Sequence, residues 1–185
     1  MIGRCLLVID VLNDFVSRWE PAKAARLVAN TNALIGSCRA AGVPVIWVRQ
    51  AFRPDLSDAF PEMRDKAISI TIEGTWGAEI DARLDRRDGD PEVVKKRYSA
   101  FFRTDLEETL AGLGVGEVIL AGLNTHACIR MAAIDAYQRD LRVVIAADCI
   151  GSSDEDHAQV SMRYMDGKIA RAMSNAEIAA LLSGA

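Results

Sequence analysis

Short apolar runs rich in β-branched residues recur along the chain and alternate with longer amphipathic stretches. The runs cover residues 5–10, 43–48, 92–96, 117–123 and 142–148. Most of their apolar residues are consecutive, with little apolar–polar alternation, which is typical of strands buried on both faces of a parallel sheet. The pattern therefore predicts a sheet whose strands are separated by helices.

The stretches between the runs predict the helices and the overall fold. Helices are predicted at 21–40, 104–113, 125–139 and 154–165, followed by an edge strand at 168–173 and a last helix from Ser174 or Asn175. Pro21 opens the longest helix and Gly42 follows its end, as helix termini favour. Alternating strands and helices indicate a three-layer α/β/α, Rossmann-like fold with a mostly parallel central sheet.

Residues 49–91 form the one long irregular stretch. It contains Pro54, Pro61, Gly74, Gly77 and Pro91. A long loop in a compact domain commonly serves as a lid or a pocket wall. We find no repeat and no linker, and a length of 185 residues fits one domain, so we predict a single domain over 1–185.

Composition and charge exclude several classes of protein. Half of the residues are apolar and 26% are charged, which rules out a disordered or fibrous chain. The net charge of −4 argues against a nucleic-acid partner. No apolar stretch approaches the roughly 20 residues of a membrane span, and no signal-peptide pattern is present. We expect a soluble cytoplasmic protein with free thiols.

Three kinds of side chain, an acid, a lysine and a cysteine, stand at or after predicted strand ends, where open parallel sheets form their ligand sites. Asp10 ends the first run, Lys95 and Lys96 lie at the end of the third, and Cys128 follows the fourth. Each alone is commonly a cap, a solvated turn or a small core residue. Cys128, however, stands near the start of a predicted helix, where the helix dipole and free N–H groups favour a thiolate and an oxyanion. Together the three predict a nucleophilic site.

Four segments resemble the signatures of the isochorismatase-like cysteine hydrolases, which include nicotinamidases, N-carbamoyl-amide hydrolases and isochorismatases. They are VIDVLNDF (8–15), GTWGAEI (74–80), VVKKRYSAFFRTDL (93–106) and AGLNTHACIRMAAIDAY (121–137). The similarity runs in order over almost the whole chain. One departure is Leu12, where the family usually has Gln; it leaves the implied fold unchanged.

The resemblance implies a catalytic triad of Asp10, Lys95 and Cys128. The family's lysine stands two residues before an arginine, here Arg97, which selects Lys95 over Lys96. Alternation along a strand also sends neighbouring side chains to opposite faces, so only one of the two lysines can face the site.

The resemblance also implies an oxyanion hole and a reaction. The bond between Leu123 and Asn124 would be a cis peptide, and the backbone N–H groups of Asn124 and Cys128 would hold the oxyanion. Asp10 would accept the thiol proton, and the thiolate would attack an amide-type carbonyl to form a thioester that water cleaves. The predicted function is a cysteine-dependent hydrolase acting on an amide or N-carbamoyl C–N bond of a small molecule.

Several residues outside the predicted triad are candidates for substrate binding. Phe15, Trp76 and Tyr98 are predicted pocket walls, since ligand sites are mostly apolar with a few polar anchors. Arg49 and Gln50 follow the second strand and have the chemistry to bind a carboxylate or ureido group.

We predict neither a metal nor a cofactor. Nicotinamidases in the family commonly hold a metal through an Asp and several His after the second strand, whereas here that segment carries Asp55, Asp58 and Asp65 but no histidine. His126 is interpreted as a structural residue and His157 as a surface residue. The resemblance further predicts a homo-oligomer, a dimer or larger.

Two alternative functions remain open. One is isochorismatase-type vinyl-ether hydrolysis, which needs no nucleophile; family members of that branch generally lack the cysteine, so Cys128 argues against it. The other is a binding protein on the same fold without catalysis, against which the complete Asp, Lys and Cys set argues.

Overall fold

Six strands form one sheet in which all neighbours are parallel. The computed structural model describes residues 2–184. The strands are β1 (Gly3–Ile9), β2 (Val45–Gln50), β3 (Glu92–Lys95), β4 (Val115–Leu123), β5 (Arg142–Gly151) and β6 (Arg171–Met173). Their order across the sheet is β3-β2-β1-β4-β5-β6.

Seven α-helices and two short turns of other helix types connect the strands in the described residues. The α-helices are α1 (Asn13–Val16), α2 (Pro21–Ala40), α3 (Pro61–Asp65), α4 (Leu106–Gly112), α5 (Arg130–Tyr137), α6 (Glu155–Met165) and α7 (Asn175–Ser183). A 3₁₀ turn covers Trp76–Ala78, and a π-helical turn, Thr125–Ile129, runs directly into α5.

The predicted fold class is confirmed, and every predicted apolar run overlaps a strand of the sheet. The last strand is at the sheet edge as predicted but is shorter, and β5 continues to Gly151. The pattern missed α1 and α3, which have four and five residues. Helices that short are hard to recognise because they carry little more than one turn of the 3.6-residue period.

The helices cover the sheet on both faces, and alternation along the strands decides which residues reach which layer. Leu7 and Ile9 of β1 pack in one apolar cluster with α4, α5 and Cys128. Leu6 and Val8 pack in a second cluster with α2 and α7 on the opposite face. Full burial of such side chains contributes about 1.5–3 kcal/mol each, so both layers hold the sheet in place.

The connection pattern places a crevice at the carboxyl ends of β1 and β4. The chain proceeds outward from β1 through β2 to β3, then returns to β4 and proceeds the other way. Such a switch point is where open parallel sheets bind ligands. Gly122 has a φ of 118°, and a Cβ there would collide with the backbone of Ile9, so a glycine lets these two strands approach closely.

Across residues 2–184, none of the helices is both long enough and apolar enough to cross a bilayer.

Candidate active site

Asp10 stands directly after β1 at the switch point. Its backbone has a φ of 53°, which turns the chain out of the strand. The backbone N–H donates to Val48 O at 2.8 Å, and Oδ1 accepts a hydrogen bond from Gln50 N at 2.8 Å. These contacts hold the buried carboxylate between the ends of β1 and β2.

Lys95 is the last residue of β3 and its side chain is fully buried. Its Nζ lies 2.6 Å from Asp10 Oδ2 and 3.5 Å from Cys128 Sγ, and it donates to Arg97 O at 3.1 Å. The neighbouring Lys96 pairs instead with Asp58 at 3.0 Å. Of the two lysines, it is Lys95 that the structure brings to Asp10 and Cys128.

Cys128 lies on the π-helical turn that follows β4 and is 4% exposed. The peptide bond between Leu123 and Asn124 is cis, as the resemblance implies. Ala127 N and Ile129 N both donate to Asn124 O, at 3.0 and 3.2 Å. The turn therefore fixes the cysteine beside the carboxyl end of β4.

The electrostatics of this cluster favour a neutral thiol beside an ion pair. Burial raises the pKa of Cys128 to about 12; the charge of Asp10 adds to the increase and that of Lys95 opposes it. Burial acts to lower the pKa of Lys95, but the charge of Asp10 and the hydrogen bonds of the ammonium with Asp10 and Cys128 outweigh it, and the pKa is raised. Desolvation first, and then the charge of Asp10, oppose the thiolate that the helix start was expected to favour.

Gln50 and Arg49 are adjacent in sequence but lie on opposite faces of the sheet. Gln50 is the register partner of Lys95 and is 4% exposed. Arg49 donates to Glu92 Oε1 through Nε at 3.0 Å and Nη2 at 2.8 Å, and it lines a separate cleft with residues such as Ile80. The structure brings Gln50, and not Arg49, to the face that carries Lys95.

A cleft of about 390 Å³ opens beside the carboxyl ends of β4 and β5. Its lining residues include Phe15, Trp19, Lys23, Asn124 and Ser152. Phe15 and Asn124 were both predicted from the sequence. Asn124 directly precedes the turn that carries the cysteine, although Asp10, Lys95 and Cys128 do not themselves line this cleft.

The other two predicted pocket walls are more exposed. Trp76 is 62% exposed, and its carbonyl accepts a hydrogen bond from Asn13 Nδ2 at 2.8 Å. Tyr98 is about half exposed and packs against Phe60 with ring centroids 4.9 Å apart. Both side chains therefore expose a large part of their surface to solvent.

A family model described as isochorismatase domain matches residues 4–177. The chain belongs to the isochorismatase family.

Relatives match the chain over nearly its whole length. An uncharacterized isochorismatase family protein, YecD, of Escherichia coli O157:H7 is 31% identical over 177 residues, which is 94% of this chain and 93% of the relative. A solved isochorismatase family protein from Desulfovibrio vulgaris has 30% identity and a TM-score of 0.89, covering 99% of this chain and 100% of that one.

Members of the isochorismatase family are hydrolases, amidohydrolases among them. N-carbamoylsarcosine amidase from Thermoplasma acidophilum is similar to this chain, with 27% identity, a TM-score of 0.80, and coverage of 94% of this chain and 97% of that one.

Two of the family-like segments contact each other in this isochorismatase-family protein, a relationship the sequence reasoning missed. Asp14 Oδ2, from the first segment, accepts a hydrogen bond from Thr71 N at 2.6 Å. A Cβ on Gly77, from the second segment, would collide with the Asp14 carboxylate. The glycine in GTWGAEI was the available signal, since a glycine often marks a close approach.

The two histidines of this family member lie near each other, and one of them contacts a residue that lines the cleft. His126 Nδ1 is 2.6 Å from Ser152 Oγ, and its ring is 6.2 Å from that of His157. Among residues 2–184, no three His, Cys, Asp or Glu side chains are grouped so as to hold a metal ion. Asp58, one of the three acidic residues considered above, pairs with Lys96.

Proposed function

We propose that this protein is a cysteine-dependent hydrolase that cleaves an amide or N-carbamoyl C–N bond of a small molecule through a thioester on Cys128. The observation that carries the proposal is the buried contact of Lys95 Nζ with both Asp10 Oδ2, at 2.6 Å, and Cys128 Sγ, at 3.5 Å. A nucleophile, a base and a charge stabiliser within contact distance are what this reaction needs. The likeness to an N-carbamoylsarcosine amidase supports the choice of bond.

Attack begins with a proton transfer, because the resting thiol is neutral. Asp10 accepts the proton as Cys128 Sγ forms a bond to the substrate carbonyl carbon, whose π electrons move to oxygen. The backbone N–H groups of Asn124 and Cys128 hold the resulting oxyanion. Protonated Asp10 then donates its proton to the leaving nitrogen as the C–N bond breaks.

The second half of the reaction uses the same carboxylate as a base. Asp10 accepts a proton from water, whose oxygen attacks the thioester carbonyl, and the C–S bond breaks. The acid product leaves and Cys128 regains its proton. Each group therefore returns to its starting protonation state.

Lys95 stays positively charged while the proton moves from Cys128 to Asp10. Before attack its ammonium faces the Asp10 carboxylate; while the proton is transferred, it also faces the negative charge that develops on Cys128 Sγ. In a buried site, where charge interactions are strong, a fixed cation stabilises either anion without rearrangement.

On the substrate side, we assign the cleft lined by Phe15 and Asn124 as the entry to the thiol. Gln50 lies on the inner face beside Lys95 and is assigned to substrate binding. Trp76 and Tyr98 are assigned to the outer rim, where their exposed surface is available. A homo-oligomer is also proposed, and light scattering after size exclusion tests it.

Ammonia release from a panel of primary amides and N-carbamoyl compounds tests the activity. The wild type is expected to turn over at least one class, and Cys128→Ala to lose on the order of a thousandfold or more. Cys38→Ala is the matched control because Cys38 is also fully buried but packs in the cluster on the opposite face of the sheet. Equal activity in Cys128→Ala would reject the covalent mechanism.

A further inference from the structure

Three buried side-chain atoms in residues 2–184 have no hydrogen-bond partner, and all three belong to residues at the corner formed by the carboxyl ends of β1 and β2 and the segments that follow them. They are Asp10 Oδ2, Gln50 Nε2 and Thr71 Oγ1. Asp10 Oδ2 has the ammonium of Lys95 at 2.6 Å, so its charge is compensated. Gln50 and Thr71 have no such compensation. Folded proteins pair nearly all of their buried polar atoms, so the two exceptions need an explanation.

Gln50 lies on the same face of the sheet as Cys128. Val48, two residues earlier on β2, packs in the apolar cluster that contains Cys128. Because side chains alternate along a strand, Gln50 shares that face. Its register partner is Lys95, whose Nζ is 3.5 Å from Cys128 Sγ. The unpaired amide is therefore next to the proposed reacting groups.

Thr71 is held at the same corner by its backbone. Its N–H donates to Asp14 Oδ2 at 2.6 Å, and its carbonyl accepts from Phe52 N at 2.8 Å. Phe52 comes two residues after Gln50, and Asp14 comes four residues after Asp10. Thr71 is thus tied to the segments that follow both β1 and β2.

The conformation of Thr71 is a second, independent observation at this residue. Its φ is 51°, a left-handed value that is a clear outlier for a β-branched residue. The side chain is also fully buried. Strained backbone of this kind persists where surrounding structure enforces it, and such positions cluster at ligand sites.

We propose that Gln50 and Thr71 form a subsite that donates hydrogen bonds to a second oxygen of the substrate. This oxygen is not the one on the carbonyl carbon that Cys128 attacks. The Gln50 amide supplies N–H donors and the Thr71 hydroxyl supplies one O–H donor. Their partner is a carbonyl or carboxylate oxygen. The inference rests on the proposed function for the reaction, and it narrows the substrates to amides or N-carbamoyl compounds with a second such oxygen.

Thermal unfolding of the full chain without substrate tests the unpaired donors. Gln50→Met and Thr71→Val keep the size of each side chain and leave the backbone N–H of Gln50 bonded to Asp10. Each is expected to raise Tm by about 2–4 °C, since an unsatisfied buried group is removed. The matched control is Thr31→Val, because the buried Thr31 hydroxyl donates to Leu27 O at 2.8 Å. The control substitution Thr31→Val should lower Tm. If Gln50→Met and Thr71→Val lower Tm by a similar amount, the proposed subsite is wrong.

Alkylation of Cys128 tests recognition of the oxygen. Iodoacetamide carries a carbonyl oxygen next to its reacting carbon and iodoethane does not. Both reagents alkylate the thiolate: the thiol proton is lost to the buffer, an S–C bond forms and iodide leaves. With each rate normalised to that of glutathione, the ratio of iodoacetamide to iodoethane should fall about tenfold in Gln50→Met and in Thr71→Val, as loss of one hydrogen bond predicts. An unchanged ratio overturns the proposal.

The two readouts separate this inference from the proposed reaction. If mass mapping finds Cys128 unreactive toward both reagents in the wild type, the proposed nucleophile is wrong. In that case only the thermal unfolding experiment tests whether the corner holds unsatisfied donors. It compares the Tm shifts of Gln50→Met and Thr71→Val with that of Thr31→Val.

Discussion

Lys95 Nζ lies 2.6 Å from Asp10 Oδ2, and both side chains are completely excluded from solvent. Removing one partner of such a pair leaves an uncompensated buried charge, which typically costs about 3–5 kcal/mol. We expect Lys95→Met to lower the free energy of unfolding by about that amount. The double variant Asp10→Asn/Lys95→Met should recover most of the loss, because no unpaired charge remains.

Urea unfolding of Asp10→Asn, of Lys95→Met and of the double variant measures the interaction between the two side chains. If the double variant is less stable than Lys95→Met, the two side chains do not act as a charge pair.

The two adjacent lysines should differ in their effect on activity. Lys95 contacts Cys128 Sγ, whereas Lys96 pairs with Asp58 at 3.0 Å and is partly exposed. Lys95→Met should reduce kcat/KM for amide hydrolysis on the order of a thousandfold. Lys96→Met should stay within a few fold of the wild type. Steady-state ammonia release decides, and equal losses would show that Lys95 has no special role.

The reactivity of the thiol should change in opposite directions when the two charged neighbours are removed. Burial, followed by the charge of Asp10, raises the pKa of Cys128, and Lys95 lowers it. Asp10→Asn therefore lowers the pKa, so at pH 8 the thiolate fraction and the rate of alkylation by iodoacetamide should rise. Lys95→Met raises the pKa further, and the rate should fall.

Asp10→Asn should nevertheless lose ammonia release, because the proton acceptor and donor is gone. Rates of alkylation at pH 7 to 9, followed by mass mapping of Cys128, give the comparison. Slower alkylation in Asp10→Asn than in the wild type would contradict the electrostatic description of the site.

Gly77 should tolerate no side chain. A Cβ there would collide with the Asp14 carboxylate, which in turn accepts the hydrogen bond from Thr71 N. Gly77→Ala should lower the free energy of unfolding by about 1–3 kcal/mol, as overpacking does. Gly36→Ala is the control, since Gly36 lies within α2 with open space around it and should gain about 0.5–1 kcal/mol. Similar unfolding curves for the two variants would refute the close contact.

The sheet was predictable because it depends on periodicity along the chain, whereas the choice of Lys95 over Lys96 came from the family resemblance. Continuous apolar runs mark the strands, and alternation with a period of two separates Lys95 from Lys96. The same alternation separates Gln50 from Arg49, although both were predicted as substrate ligands; Arg49 lies on the opposite face and pairs with Glu92.

Other features of the site depend on tertiary contacts that no local pattern contains. The raised pKa of Cys128 follows from burial by segments distant in sequence. The unpaired hydroxyl of Thr71 becomes visible only when its neighbours Asp14 and Phe52 are known. The apolar pattern could not reveal either feature, because neither depends on the order of apolar and polar residues nearby.

The most direct test of the account is the intact mass of the protein after acid quench of a reaction with a turned-over amide. Acid preserves a thioester, so the wild type should gain the mass of the acyl or carbamoyl group, located on Cys128 by peptide mapping. Cys128→Ala should gain nothing. An active wild type without an adduct at any quench time, together with an active Cys128→Ala, would contradict covalent catalysis by Cys128.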